Sequence, residues 1–317
     1  MISLKNFEKN LKMIKLEEIR EIVKGEILIN EPLAKYSTFK IGGPADIYIA
    51  PRDVDELLRL IQYLKEEGID FIILGNGSNV LISDEGFRGA VINLEAGLNF
   101  IKIEGEYVVA GAGVKLAKFV DFCIENGFRG VEMMAGIPGT LGGAIVMNAG
   151  AYSAEISDHL VDVDVIRDLN LVRLKKEECG FGYRTSNLTK DVVIQARFKF
   201  PPGDIEEMKR RRREILIKRN QAQPVNFPNV GSIFKNPPGN YAGKLIEEAG
   251  LKGIQIGGAQ ISEKHANFII NKGNATASDV LELIKLAQRK VYEKFGVKLE
   301  LEVRLIGFEE EEIQDLI

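Results

Sequence analysis

Three residues far apart in the chain are of types that could act together on a polar substrate. Arg184 lies in Phe181-Gly182-Tyr183-Arg184-Thr185-Ser186, between aromatic and glycine residues at the end of a strand region. A guanidinium there can present its fork to a carboxylate; an ordinary surface ion pair is the plainer reading. Ser232 follows Gly231 and leads into Ile233-Phe234-Lys235-Asn236-Pro237. The glycine lets the backbone approach a ligand, although most loop serines simply cap a turn. Glu302 stands in Leu299-Glu300-Leu301-Glu302-Val303-Arg304. Strand alternation puts Glu300 and Glu302 on one face, opposite Leu299, Leu301 and Val303, which a solvent-facing pair would also satisfy.

A second kind of chemistry is suggested by glycine. Residues 135–152, AGIPGTLGGAIVMNAGAY, hold Gly136, Gly139, Gly142, Gly143 and Gly150, with Pro138 stiffening the run. Such a segment can lay successive N–H groups against an anion such as a pyrophosphate, or form a tight turn packed on a neighbour. In Ile72-Ile73-Leu74-Gly75-Asn76-Gly77-Ser78-Asn79-Val80-Leu81 an apolar run enters a polar glycine turn and leaves it apolar. A strand feeding a phosphate-facing turn reads this way, and so does a hairpin. No G-x-G-x-x-G is present. Gly111-Ala112-Gly113 is the nearest approach and lacks the third glycine, which argues against a Rossmann dinucleotide site.

The bulk numbers narrow the class. The 317 residues suffice for two or three domains. Hydrophobic residues make up 45% and charged ones 28%, ordinary for a globular protein, and the net charge of −4 argues against a general nucleic-acid binder. No apolar run approaches the roughly 20 residues of a membrane span. The N-terminus carries no signal-peptide pattern, so a cytoplasmic protein without membrane insertion is expected. Two cysteines and two histidines leave little for a disulfide framework or a metal site, and no metal is expected. The run Lys209-Arg210-Arg211-Arg212-Arg213 shares its helix with Glu206, Glu207 and Glu214. It reads as a solvated face with one or two cations available to a substrate phosphate.

Together with Ser37-Thr38-Phe39-Lys40-Ile41-Gly42-Gly43-Pro44-Ala45-Asp46, these segments closely resemble the UDP-N-acetylenolpyruvoylglucosamine reductase family, over residues 30–308. The resemblance implies an α+β protein with a vanillyl-alcohol-oxidase (PCMH)-type FAD-binding fold of two α+β subdomains, followed by a C-terminal α+β substrate-binding domain. It implies non-covalent FAD, NADPH as reductant, and reduction of the enolpyruvyl ether of UDP-N-acetylglucosamine enolpyruvate to UDP-N-acetylmuramate in peptidoglycan precursor synthesis, by a monomer. Cofactor contacts are expected at Thr38, Gly42, Gly43, Gly75, Asn76, Gly77, Ser78, Asn79, Val80, Gly136, Ile137, Pro138, Gly139, Thr140, Gly142, Gly143, Ala144 and Asn148. Substrate contacts are expected at Tyr183, Lys235, Asn236, Lys252 and His265, and catalysis at Arg184, Ser232 and Glu302. The short stretch between Tyr152 and Asp158 resembles the subclass without the extra substrate-capping loop. Left open beside this are a flavin oxidase of the same fold acting on an alcohol or sugar, a non-catalytic flavin-binding protein, and a nucleotide-sugar binding module.

The elements that must position these residues follow from periodicity. Helices are expected over 7–23, from Asp53 or Asp55 to Gly68, over 116–126, from Asp204 to about 219, over 241–249, and along Val280, Ile284, Ala287, Val291 and Phe295. Strands are expected over 47–50, 71–74, 90–94, 161–165, 192–200 and 299–306, with a hairpin over 100–109. Pro201-Pro202-Gly203 marks a boundary. The division is an N-terminal helix (1–25), a first FAD-binding subdomain (26–93), a second (94–202 with 303–317) and a substrate-binding domain (204–302).

Overall fold

The computed structural model describes residues 15–316. Of the helix expected over 7–23, Leu16–Ile22 (α1) is helical, and residues 1–14 lie outside the described residues. Ile19 and Val23 are buried in the same cluster as Leu57, Leu60 and Leu64 of the next helix.

The first sheet joins β1 (Glu26–Pro32), β2 (Pro44–Ala50), β3 (Phe71–Ile73) and β5 (Phe87–Ile92) in the order β1-β2-β5-β3. β1 and β2 are antiparallel; β5 runs parallel to both β2 and β3. The crossover helix α2 (Val54–Glu66) follows from an apolar face of Leu57, Leu60, Ile61 and Leu64 and an N-cap at Asp53, whose carboxylate accepts Glu56 N–H at 2.8 Å. β4 (Val80–Ile82) leaves this sheet.

The second sheet is antiparallel, in the order β11-β10-β12-β7-β6. Its strands are β6 (Ile101–Glu104), β7 (Tyr107–Gly111), β10 (Leu160–Arg167), β11 (Asn170–Lys175) and β12 (Val192–Phe198). Helices α3 (Leu116–Glu125) and α4 (Leu141–Val146) pack with it, and β8 (Gly150–Ala151) with β9 (Ala154–Glu155) forms a small hairpin. Phe119 and Phe198 are fully buried with ring centroids 5.0 Å apart. One apolar core runs through both sheets, from Ile47 and Ile49 to Val163 and Phe198. The two halves therefore share a core, which also takes in Leu141, Ala144 and Ile145 of the glycine segment.

The C-terminal part begins with α5 (Ile205–Ala222), capped by Asp204. α6 (Ala242–Glu248), a three-stranded sheet of β13 (Gln255–Ile256), β14 (Ala259–Ile261) and β15 (Ile269–Asn271), and α7 (Ala277–Phe295) follow. Phe234, Leu245, Ile261 and Ile284 form their own core, shared with Phe39, Ile41 and Leu81 of the first part. Polar ties hold this part to both sheets. Arg211 reaches the fully buried Glu132 at 3.1 Å and Arg212 reaches Asp121 at 2.7 Å. Asp84 accepts the N–H groups of Ala277 and Ser278, at 2.7 and 3.0 Å, and so caps α7 from another part of the chain. Among the described residues no helix is long and apolar enough to cross a membrane.

Two expectations are corrected. The last strand, β16, spans only Arg304–Ile306, and it pairs in parallel with β4 of the first part, not with the second. Residues 303–317 therefore do not return where the sequence placed them. Ahead of β16 the chain is irregular: the N–H groups of Glu302 and Val303 both point at Ile233 O, at 2.8 and 3.3 Å. This break separates the two carboxylates expected to share a face. Glu300 is 74% exposed beside Lys235, while Glu302 is 17% exposed and turned inward.

Candidate active site

β3 enters the turn Gly75 to Asn79 and β4 leaves it, while the segment Ile137 to Thr140 runs into α4 on the opposite side. Between them lies a groove of ≈ 430 Å³, roofed by residues of the C-terminal part. Its expected lining is largely present: Gly75, Asn76, Gly77, Ser78, Asn79, Val80, Ile137, Pro138, Gly139, Thr140, Gly142, Gly143 and Ala144. The two segments touch, Ser78 Oγ donating to Pro138 O at 3.0 Å. Gly77 has φ +56°, and a Cβ there would fall 2.2 Å from Tyr36 O. Only glycine brings these backbones so close. At Gly143 the nearest atom to an added Cβ is Thr140 Oγ1 at 3.6 Å, so a side chain would project into the groove. Bare main chain on two sides with apolar walls at Ile73, Leu94 and Val193 fits a dinucleotide such as FAD.

Five expected cofactor residues lie elsewhere. Gly42 packs on Ile82 and Gly43 on Asp84 and Gly86, where any Cβ would collide. They are close-packing positions beneath β4. Gly136 sits under the Arg219 side chain. Asn148 is buried at φ +44°, and its Nδ2 donates to Glu155 and to Gly182 O, at 2.7 and 2.9 Å, tying the hairpin to the Arg184 loop. Thr38 borders a neighbouring cavity and donates to Asn229 O.

Arg184, Ser232 and Glu302 all line the groove. Arg184 sits at φ +55° in a tight turn closed by reciprocal bonds between Gly182 and Thr185. Non-glycine residues take that conformation at a cost and where the surroundings impose it. Its guanidinium donates to Gly150 O at 2.5 Å and to Glu302 Oε1 at 3.2 Å. Burial pushes the Glu302 carboxyl above its ordinary range, against the pull of Arg184 beside it. The Ser232 hydroxyl makes no hydrogen bond to the protein among the described residues.

The expected substrate residues stand outside the groove lining. Tyr183 is half exposed with the Arg184 guanidinium 5.0 Å above its ring. Lys235 pairs with Glu300 at 3.4 Å, and Asn236 accepts Ala242 N–H at the start of α6. Lys252 pairs with Glu247 at 2.8 Å. His265 accepts Asn267 N–H on Nδ1, lies against Gly243 and Phe268, and is driven toward the neutral form by burial.

Sequence reasoning missed two groove cations. Arg219 packs over Gly136, burial lowering its pKa against the Tyr152 hydroxyl, and Arg304 donates to Met147 Sδ at 3.2 Å. Neither has a carboxylate partner among the described residues. Arg304 was open to detection, two residues beyond Glu302; nothing in its helix distinguishes Arg219. Of the run of cations at 209–213, Lys209, Arg210, Arg211 and Arg212 are instead engaged by Glu206, Glu207, Glu214, Glu132 and Asp121. No group of metal-binding side chains occurs among the described residues.

Comparison with known proteins bears on this groove. The family model described as UDP-N-acetylenolpyruvoylglucosamine reductase, C-terminal domain, matches residues 223–306, and that of an FAD binding domain matches 45–169. The chain is 49% identical to the UDP-N-acetylenolpyruvoylglucosamine reductase of Chloroherpeton thalassium, over 94% of this chain and 99% of that one. It is 47% identical to that of Caldanaerobacter subterraneus subsp. tengcongensis, over 93% and 98%. The crystal structure of the Thermus caldophilus reductase superposes with a TM-score of 0.78 at 39% identity, covering 89% of this chain and 99% of that one. The fold is thus an α+β FAD-binding type with an added C-terminal domain, as in the Thermus caldophilus reductase. On sequence, architecture and groove together, the chain belongs to the UDP-N-acetylenolpyruvoylglucosamine reductase family.

Proposed function

We propose that the protein reduces the enolpyruvyl ether of UDP-N-acetylglucosamine enolpyruvate to UDP-N-acetylmuramate for peptidoglycan precursor synthesis, using FAD and NADPH, as its relatives' names indicate. The observation that carries the reading is the meeting of Arg184, Ser232 and Glu302 in one glycine-lined groove from three distant segments. FAD supplies a hydride carrier between NADPH and the methylene carbon of the substrate. Main-chain N–H groups in the Gly75 to Asn79 turn and at Gly139 and Thr140 would hold its pyrophosphate.

The chain's own groups meet the needs of the carbon–carbon double bond. Hydride addition pushes negative charge toward the substrate carboxylate, so a fixed cation must already be there. Arg184 is that cation, held by Gly150 O and Glu302 before substrate arrives. Burial favours the neutral form of Glu302, and in that form it donates a hydrogen bond to the same carboxylate; ionised, it would oppose the step. Ser232 delivers a proton to the carbon bearing the ether oxygen, a weak acid being enough for so basic a carbon. Tyr183, Lys235, Asn236, Lys252 and His265, outside the groove lining, are assigned to the nucleotide sugar by the family resemblance alone. The protein works as a cytoplasmic monomer.

The test is anaerobic. The flavin of purified protein should bleach with NADPH and recover its colour with the enolpyruvyl substrate, yielding UDP-N-acetylmuramate. Recovery with oxygen alone, and none with the sugar nucleotide, would point to an oxidase.

A further inference from the structure

Thr38 is close to the cofactor loop yet does not line the groove, and its bonds run in two directions. Its N–H donates to Gly77 O at 3.1 Å, inside the turn assigned to the pyrophosphate. Its hydroxyl donates to Asn229 O at 2.7 Å, in the C-terminal part, 191 residues later. Asn229 then accepts Gly231 N–H on Oδ1 at 2.9 Å, one residue before Ser232. Three hydrogen bonds thus connect Gly77 with the backbone that carries Ser232.

Gly77 is wedged against Tyr36 O, so the cofactor turn is fixed. Gly231 lies at φ +80° with no atom within 4 Å of an added Cβ. The buried side chains of Val230 and Ile233 anchor the chain on either side, and between them the Gly231 N–H is held by Asn229 Oδ1. The far side of the same turn is tied as well, Asn79 Nδ2 donating to Glu302 O and Arg304 N–H to Asn79 O, both at 3.0 Å. Glu302 N–H in turn meets Ile233 O. The proton donor and the carboxyl therefore hang from opposite ends of one cofactor turn.

We propose that Thr38 is a positioning residue, whose hydroxyl sets Ser232 at its working distance from the bound flavin, and is not itself a cofactor contact. The inference rests on the role of Ser232 given above. A hydroxyl that fixes a proton donor matters only to the half-reaction in which the proton is delivered, and there a displacement near 1 Å can slow the step by about 10²-fold.

The test compares holoenzymes carrying Thr38→Val, Thr38→Ala and Thr38→Ser. The first two remove the donor, with and without the side-chain volume; the third restores it. The expected result for Val and Ala is unchanged FAD affinity and NADPH-driven bleaching, reoxidation by saturating substrate slowed about 10- to 100-fold, and faster amide exchange across residues 229–232. Ser should restore both readouts. Loss of FAD affinity, or equal slowing of both half-reactions, would overturn the proposal in favour of a cofactor contact. Unchanged reoxidation and exchange in Val and Ala would overturn it outright. If wild-type flavin is not reoxidised by the sugar nucleotide, the functional reading fails instead, and the exchange of residues 229–232 still tests the tie.

Discussion

Arg184 Nε lies 3.2 Å from Glu302 Oε1, although 118 residues separate the two in sequence. An arginine this close ordinarily drives a carboxyl to ionise, yet burial has the larger effect here and the carboxyl is displaced upward from 4.5. Glu302 can therefore hold its proton in a range where free carboxylates have lost theirs, and reoxidation of the flavin by substrate should decline as pH rises through its raised pKa. The sign for stability is the same. Between 4.5 and the raised value the folded state binds more protons than the unfolded state, so this residue's contribution falls as pH increases. Glu302→Gln keeps an acceptor for Arg184 and a donor for substrate but cannot titrate. It should flatten both the rate profile and the melting-temperature profile over that window, measured by stopped flow and calorimetry. Unaltered profiles in the variant would assign the titration to another group.

The cofactor turn should be intolerant of a single methyl. Gly77→Ala forces φ +56° on a residue with a side chain and drives Cβ into Tyr36 O. Strain of about 1–3 kcal/mol at such a site corresponds to a loss of FAD affinity of about 5- to 150-fold, at about 1.4 kcal/mol per decade. Gly250 also has positive φ, +78°, but nothing lies within 4 Å of its Cβ position. Gly250→Ala should cost about 1 kcal/mol in stability and leave FAD affinity alone. Fluorescence titration of the apoprotein distinguishes the two.

The cap that Asp84 places on α7 joins the first part of the chain to the last. Asp84→Ala leaves the N–H groups of Ala277 and Ser278 without that acceptor and should destabilise by about 1–2 kcal/mol, read from denaturant midpoints. Because α7 belongs to the C-terminal core, its amide protons should exchange faster while those of β10 and β12 do not.

Much of this was legible before the structure. Apolar spacing located α2, α3 and α7, since burial of one face dictates the helix, and of the two caps offered for α2 the structure uses Asp53. The glycine turns were legible because so many flexible residues in a row make sense only where backbones crowd. Sequence failed where side chains serve the fold without leaving a period. Gly42 and Gly43 look like ligand glycines but make room for Ile82 and Asp84, and Asn148 and Thr38 bind other loops rather than line the groove. The strand expected over 299–306 alternates through Leu305, yet Ile233 O captures two successive N–H groups and breaks it, and the partner of β16 could not be inferred from local pattern. Arg219 stayed hidden because a helix with so many cations does not reveal which of them turns toward a cleft.

Ser232 offers the most direct measurement of whether these groups act on a flavin-held substrate. In Ser232→Ala holoenzyme, anaerobic stopped flow should find bleaching by NADPH at close to the wild-type rate, and reoxidation by UDP-N-acetylglucosamine enolpyruvate slowed by about 10²–10⁴-fold, as expected for loss of a general acid. Wild-type reoxidation in that variant, or equal slowing of both halves, would contradict the account.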